Sequence, residues 1–198
     1  MTRQTVYLIR HGQVNGNILQ LDRRLTAAAF NAIVADVAHE PINDEGIRQT
    51  RAIAPQIARL NLSCLYSSPL LRARQTAEIL AEETGLTIHV RDDLFELVPA
   101  RLPGPLERDM TLRRAYIRSG QRLVNPFTRD AETFYGAYRR IRRAWIALTH
   151  DVHEDFGIVG HQGIFRILFG WILATPRWRV VKMDTTNAGI SVVTRWLF

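Results

Sequence analysis

An α/β fold, a three-layer α/β/α sandwich with a largely parallel central sheet, is what this 198-residue sequence predicts. Three observations lead there. Short β-branched and apolar runs alternate with longer helical patterns, and that alternation implies crossover connections. Several of the runs end in polar turns of the kind that hold ligands beyond the carboxyl ends of parallel strands. Hydrophobic residues make up 46% of the chain against 23% charged, enough for a sizeable core and too little charge for disorder. The length fits one domain spanning 1–198.

The first strand is expected at residues 5–9, closing on Arg10-His11-Gly12. A helix follows over 26–38, where Phe30, Val34 and Val37 fall at spacings of four and three. Another spans 43–60, capped by Asn43 with Asp44 and Glu45 in its first turn, and Pro55 is expected to kink or split it. The strand at 64–67 leads into Ser68-Pro69, read as a serine cap and a first-position proline. Ala73, Ala77 and Leu80 give that helix its inward face, Arg74 and Glu78 pair outside, and Gly85 stops it. A strand at 87–90 follows. Residues 97–128, broken by Pro99, Pro103, Gly104 and Pro105 and carrying a short helix near 111–118, read as an insertion over the core. A helix at 130–148, a strand at 156–160, an apolar helix at 163–173 and a last strand at 189–196 complete the order. Ile164, Phe165, Leu168, Trp171 and Ile172 have the spacing of a core face.

Composition removes several classes. The apolar stretch at 167–174 contains a glycine and is far short of the roughly 20 residues of a membrane span. The first residues lack the apolar core of a secretory signal, so a cytoplasmic protein with no membrane partner is expected. Cys64 is the only cysteine, which rules out an intramolecular disulfide and a cysteine-based zinc cluster; it reads as a small buried hydrophobe. The net charge of +7 is almost all arginine, Lys182 being the single lysine. The arginines are scattered rather than set in a stripe with aromatics, which disfavours nucleic acid. Arg139, Arg140, Arg142 and Arg143 read as a solvated helix face. His39, His89, His150 and His153 read as surface or strand histidines.

Three turns should meet at one rim of the sheet: Arg10-His11-Gly12, residues 67–72, and Gly160-His161-Gln162-Gly163. Together they bring two arginines, two histidines and helix N-termini to one place, a phosphate pocket in chemistry. No cysteine lies near these arginines, no G-x-x-x-x-G-K-S/T loop occurs, and no aspartate cluster offers a magnesium site. Histidine remains as nucleophile. An imidazole whose one nitrogen donates to a backbone carbonyl aims its other lone pair at phosphorus, and His11 on a glycine-bounded turn suits that.

These residues resemble the histidine phosphatase, or phosphoglycerate mutase-like, superfamily over most of the chain. The resemblance rests on five ordered motifs: Arg10-His11-Gly12 with Asn17; Pro41-Ile42-Asn43-Asp44-Glu45-Gly46 with Gln49; the run from Tyr66 through Ser68, Arg72 and Gln75 to Glu78; Leu94-Phe95-Glu96; and Val159-Gly160-His161-Gln162-Gly163. The resemblance implies His11 as the nucleophile forming a phosphohistidine. It further implies Arg10, Arg72 and His161 as donors to the phosphoryl oxygens, Asn17 as a phosphate or substrate contact, and Glu96 as general acid and then base. It requires no metal and no cofactor. Asp92 and Asp93 are the acids competing with Glu96.

The sequence also departs from the family pattern. Gln13 and Val14 replace the Glu-Thr or Glu-Ser pair, and the segment 18–40 is long and helical, expected to form a pocket wall or lid. Leu97-Val98-Pro99-Ala100 stands where mutases carry Arg-His-Tyr-Gly, and Gly16 where they carry tryptophan. The resemblance therefore implies a phosphatase acting on a small phosphorylated metabolite, such as a sugar phosphate or a nucleotide-loop precursor of a cobalamin-like cofactor, with inorganic phosphate as product. The alternatives are mutase-type phosphoryl transfer and a basic nucleic-acid- or protein-binding module with a relic site. Arg101, Arg108, Arg113 and Arg114 read mainly as surface charges, and oligomeric state is open.

Overall fold

A computed structural model of the chain describes residues 2–17, 20–105 and 107–197, so Met1, Ile18, Leu19, Leu106 and Phe198 lie outside the described residues. The elements are β1 (Thr2–Arg10), β2 (Arg24–Thr26), α1 (Ala27–Asp36), α2 (Asp44–Ala58), β3 (Leu65–Ser67), α3 (Leu71–Thr84) and β4 (Ile88–Val90). They continue with β5 (Asp109–Thr111), α4 (Leu112–Val124), α5 (Phe134–Asp151), β6 (Phe156–Gly160), α6 (Gln162–Leu173), β7 (Arg179–Lys182) and β8 (Ile190–Leu197). Single 3-10 turns lie at Asn15–Asn17 and Asp92–Leu94.

The main sheet has the order β4-β3-β6-β1-β8-β7. Its first four strands are parallel, and β8 runs antiparallel to both β1 and β7. Side chains alternate across β1: Val6 and Leu8 pack with Trp145, Phe165 and Leu168 of α5 and α6, whereas Ile9 packs with Ile57, Ala77 and Leu80 of α2 and α3. Both faces are thus covered, which makes the α/β/α sandwich.

A smaller assembly covers one end. Strands β2 and β5 pair antiparallel, and Leu25, Phe30, Leu102, Met110, Leu112 and Ala115 form a separate apolar cluster between α1 and α4. The segments 18–40 and 97–128, read from the sequence as distinct features, therefore fold on one another as a cap. Of these two segments, residues 18, 19 and 106 lie outside the described residues.

Several elements differ from expectation. Helix α2 is continuous through Pro55, because the proline lies on its exposed side while Ala54 and Ile57 stay buried on the sheet side; packing outweighs the lost backbone bond. Helix α3 starts at Leu71 rather than at Ser68-Pro69, and its N-cap, Leu70, makes no side-chain bond; the Ser68 hydroxyl bonds elsewhere. Helix α4 runs on to Val124, and α5 begins only at Phe134. Strand β7 and the β2–β5 pair were not expected. The Gly85 stop, with φ 75°, and the Asn43 cap on the Gly46 N–H occur as expected.

Candidate active site

The parallel register sets the three predicted turns side by side. Arg10 pairs with Gly160, and Ser67 pairs with both Val159 and Val90. The ladder continues one residue into each turn, through His11 N–H to Gly160 O and Ser68 N–H to Val159 O, both 3.0 Å. The turn after β1 is held close to α2, because a Cβ on Gly12 would lie 2.6 Å from the Gly46 carbonyl oxygen and one on Gly46 would lie 2.3 Å from that of Gln13. Glycine at both positions permits this crossing. The Gln13 N–H donates to Gln49 and the Asn43 N–H to Gln13 O, so the second motif serves as a brace for the first.

His11 is buried, and its Nδ1 is 2.7 Å from Gly12 O. Nε2 accepts from Arg72 Nε at 3.3 Å. Burial first, and then the Arg72 charge, lower its pKa from 6.5 to about 3, so the ring is neutral at pH 7. His161 packs against it with ring centroids 5.2 Å apart. It is fully buried and held well below the ordinary histidine range, mainly by desolvation. Its Nε2 bonds Ser68 Oγ at 2.7 Å, while Nδ1 has no hydrogen-bond partner among the described residues. Arg10 Nη1 donates to Thr185 O at 2.9 Å, and its Nε is likewise buried without a partner. Arg72 Nη1 donates to Val37 O, which ties the end of α1 to the site. Asn17 Oδ1 accepts from Asn187 at 2.8 Å and from the Val14 N–H, which leaves its amide NH₂ for other partners.

Glu96 crowns the N-terminus of α6. Its carboxylate accepts from the N–H groups of Leu97, Gly163 and Ile164 at 2.8, 3.1 and 3.0 Å. A Cβ on Gly163 would lie 2.5 Å from Oε1, so glycine there is what admits the carboxylate. Burial raises its pKa, and these three donors together with Arg72 only partly counter that. The competing acids are placed differently: Asp93 pairs with Arg91, and Asp92 is exposed.

Arg10, His11, Asn17, Arg72 and Glu96 all line one cavity of about 730 Å³ beneath the cap. His161 completes the group from below. Four distant chain segments are thus brought together. The arginines at 101, 108, 113 and 114, read mainly as surface charges, are exposed and not among the lining residues; Arg23 and Arg166 are, with Asp36, Glu40 and Tyr116. Two further residues near the site were not expected there. Asn187 bonds both Asn17 and, at 3.4 Å, His11 O. Arg140 does not lie on a solvated face: its side chain is 11% exposed and paired with Glu132. Its position three residues after buried Ala137 and four before buried Ala144 was the available signal. Among the described residues, no group of three or more His, Cys, Asp or Glu side chains has a metal-holding arrangement, and no helix is long and apolar enough to cross a membrane.

Comparison with known proteins agrees with this fold. The chain is 25% identical over 174 residues to an adenosylcobalamin/alpha-ribazole phosphatase of Salmonella typhi, covering 86% of this chain and 80% of that one. A solved mycobacterial hydrolase superposes with a TM-score of 0.69 at 20% identity, covering 98% and 91% of the two chains. A mycobacterial glucosyl-3-phosphoglycerate phosphatase in complex with inorganic phosphate superposes with a TM-score of 0.60 at 20% identity, covering 87% and 80%. The model of the histidine phosphatase superfamily (branch 1) matches residues 6–196, and the chain belongs to that superfamily.

Proposed function

We propose that the protein is a metal-independent phosphomonoesterase working through a phosphohistidine on His11. The observation that carries this reading is the state of that imidazole: neutral, fixed by Gly12 O at Nδ1, with the Nε2 lone pair beside Arg72 in the cavity. In the first step Nε2 attacks phosphorus, the bond from phosphorus to the ester oxygen breaks, and the Glu96 carboxyl gives its proton to the leaving oxygen. In the second, Glu96 as carboxylate takes a proton from water, the water oxygen attacks phosphorus, and the P–N bond breaks. Inorganic phosphate leaves, and neutral His11 and protonated Glu96 are restored. Arg10, Arg72, His161 Nδ1 and the Asn17 amide supply donors to the phosphoryl oxygens as their charge redistributes.

Hydrolysis is favoured over mutase-type transfer because Leu97 and Pro99, both apolar, line the cavity directly after the acid. The cavity exceeds a phosphate group in size and mixes Arg23 and Arg166 with Asp36, Glu40 and Tyr116. That lining suits a small, polar phosphorylated metabolite. Turnover of p-nitrophenyl phosphate in the presence of EDTA tests the reading, with the acid-labile phosphoprotein trapped by rapid mixing and located by mass spectrometry. The expected result is label on His11 and loss of at least about a thousandfold in His11→Ala. Undiminished turnover in that variant, or a requirement for added metal, overturns it.

A further inference from the structure

We propose that Arg140 is a positioning residue for Glu96: on α5, and paired with Glu132 just before that helix, it forms a bracket that fixes residues 93–95 and thereby aims the Glu96 carboxylate. This rests on the reading of Glu96 as the proton donor. Arg140 Nη1 donates to Asp93 O at 2.8 Å and to Phe95 O at 2.9 Å, the carbonyls on either side of Leu94. Nε and Nη2 grip both oxygens of Glu132, at 2.9 and 2.6 Å. The guanidinium carbon lies 3.5 Å from the centre of the Phe95 ring. One planar cation thus has its donors spread over two carbonyls and a carboxylate while its face covers the residue preceding the acid, a geometry that lysine does not reproduce.

The bracket acts on a segment with little regular structure of its own. Residues 92–94 form one 3-10 turn, Leu94 is buried against α5, and residues 95–100 have no helix or strand. Glu96 must reach from this segment across to the first turn of α6. Its carboxylate bonds backbone N–H groups there, so no side chain of α6 guides it. Without Arg140, two partly buried carbonyls lose a charged donor and the peptide before Glu96 is released. A carboxyl misplaced by about 1 Å loses up to about a hundredfold in proton transfer.

A general role in stability and a role in aiming the acid differ in their dependence on the leaving group. p-Nitrophenolate departs without a proton, whereas an alkoxide needs one. The value of kcat/KM reports the phosphorylation step, so it is compared for p-nitrophenyl phosphate and glycerol phosphate in wild type, Arg140→Ala, Arg140→Lys, Glu132→Gln and Glu96→Gln. The expected result is a loss of about ten- to a hundredfold on glycerol phosphate in Arg140→Ala, with less than about threefold on p-nitrophenyl phosphate. Arg140→Lys and Glu132→Gln should show the same selectivity at smaller amplitude, and they carry the test should Arg140→Ala fail to fold. Equal losses on both substrates, or no loss on either, overturn the bracket. If Glu96→Gln shows no selective loss, the assignment of the acid has failed and the bracket falls with it. A selective loss in Glu96→Gln without one at Arg140 or Glu132 refutes the bracket alone.

Discussion

The His161 imidazole has two ring nitrogens and, among the described residues, a hydrogen-bond partner for only one of them. Ser68 Oγ, bonded to Nε2, also accepts from the Leu70 N–H at 3.3 Å. The hydroxyl proton has no other acceptor among the described residues, and given to Nε2 it is satisfied and leaves the ring proton on Nδ1. A neutral ring of that tautomer is a donor beside His11, suited to a phosphoryl oxygen and unable to compete with His11 as a base. Desolvation, which keeps the ring neutral, and Ser68, which sets its tautomer, therefore act together. The Ser68→Ala variant should leave the fold intact but cost about 1–3 kcal/mol in stability through an unpaired buried nitrogen. It should lower kcat/KM by about tenfold or more as the proton redistributes between the two nitrogens. Steady-state kinetics and the nitrogen chemical shifts of His161 read the two effects separately, and unchanged shifts would show that Ser68 does not hold the tautomer.

At the scale of elements, the cap is the most exposed to damage, because its core is small and Phe30, fully buried and edge-on to Tyr116 at 5.3 Å, is its largest buried side chain. Phe30→Ala should cost about 3–5 kcal/mol, a large share of what so small a cluster can supply. Amide exchange should therefore accelerate in residues 20–36 and 107–124 while the central sheet keeps its protection. Because Val37 O holds Arg72, the same variant should raise KM and lower kcat together; exchange quickened equally in β1 and β6 would contradict a separately opening cap. The parallel half of the sheet and its three turns were legible in the sequence because buried strands and capped helices leave periodic marks. The short strands were not: β7 has no buried position, and β2 and β5 have three residues each. Asn187 escaped for a topological reason. An antiparallel strand begins at the edge where its parallel neighbours end, so the residues leading into β8 reach the site, and a sheet assumed largely parallel draws attention only to strand ends. Arg140 was hidden by its neighbours, since four arginines in five positions read as one face although a helix turns them onto several.

For the whole molecule, the +7 charge and the exposed ion pairs, such as Arg24–Asp109 and Arg48–Glu45, contribute little to holding the fold. The buried imidazoles matter more, and through pH. His11, lowered from 6.5 to about 3, and His161, lowered well below 6.5, stay unprotonated in the folded protein at pH values where the unfolded chain takes up their protons. Their contribution is complete above pH 6.5 and is lost as pH falls through the interval toward 3. Glu96 opposes this: its raised pKa lets the folded state keep a proton that the unfolded chain releases, so its contribution favours folding in acid and is lost as pH rises through the raised value. Two imidazoles against one carboxyl leave a net loss in acid. Asp184, lowered from 3.8 by Thr186, destabilises only below that value, so over the interval from about 6.5 to 4 the shifted groups at work are the two histidines and, against them, Glu96. Melting temperature should hold steady from pH 8 to 7 and decline from about pH 6.5 downward. In His11→Gln the decline over that interval should be visibly shallower, because a side chain that cannot take a proton in either state removes one of the two terms. A variant that declines as steeply as the wild type would mean that His11 carries none of the acid sensitivity.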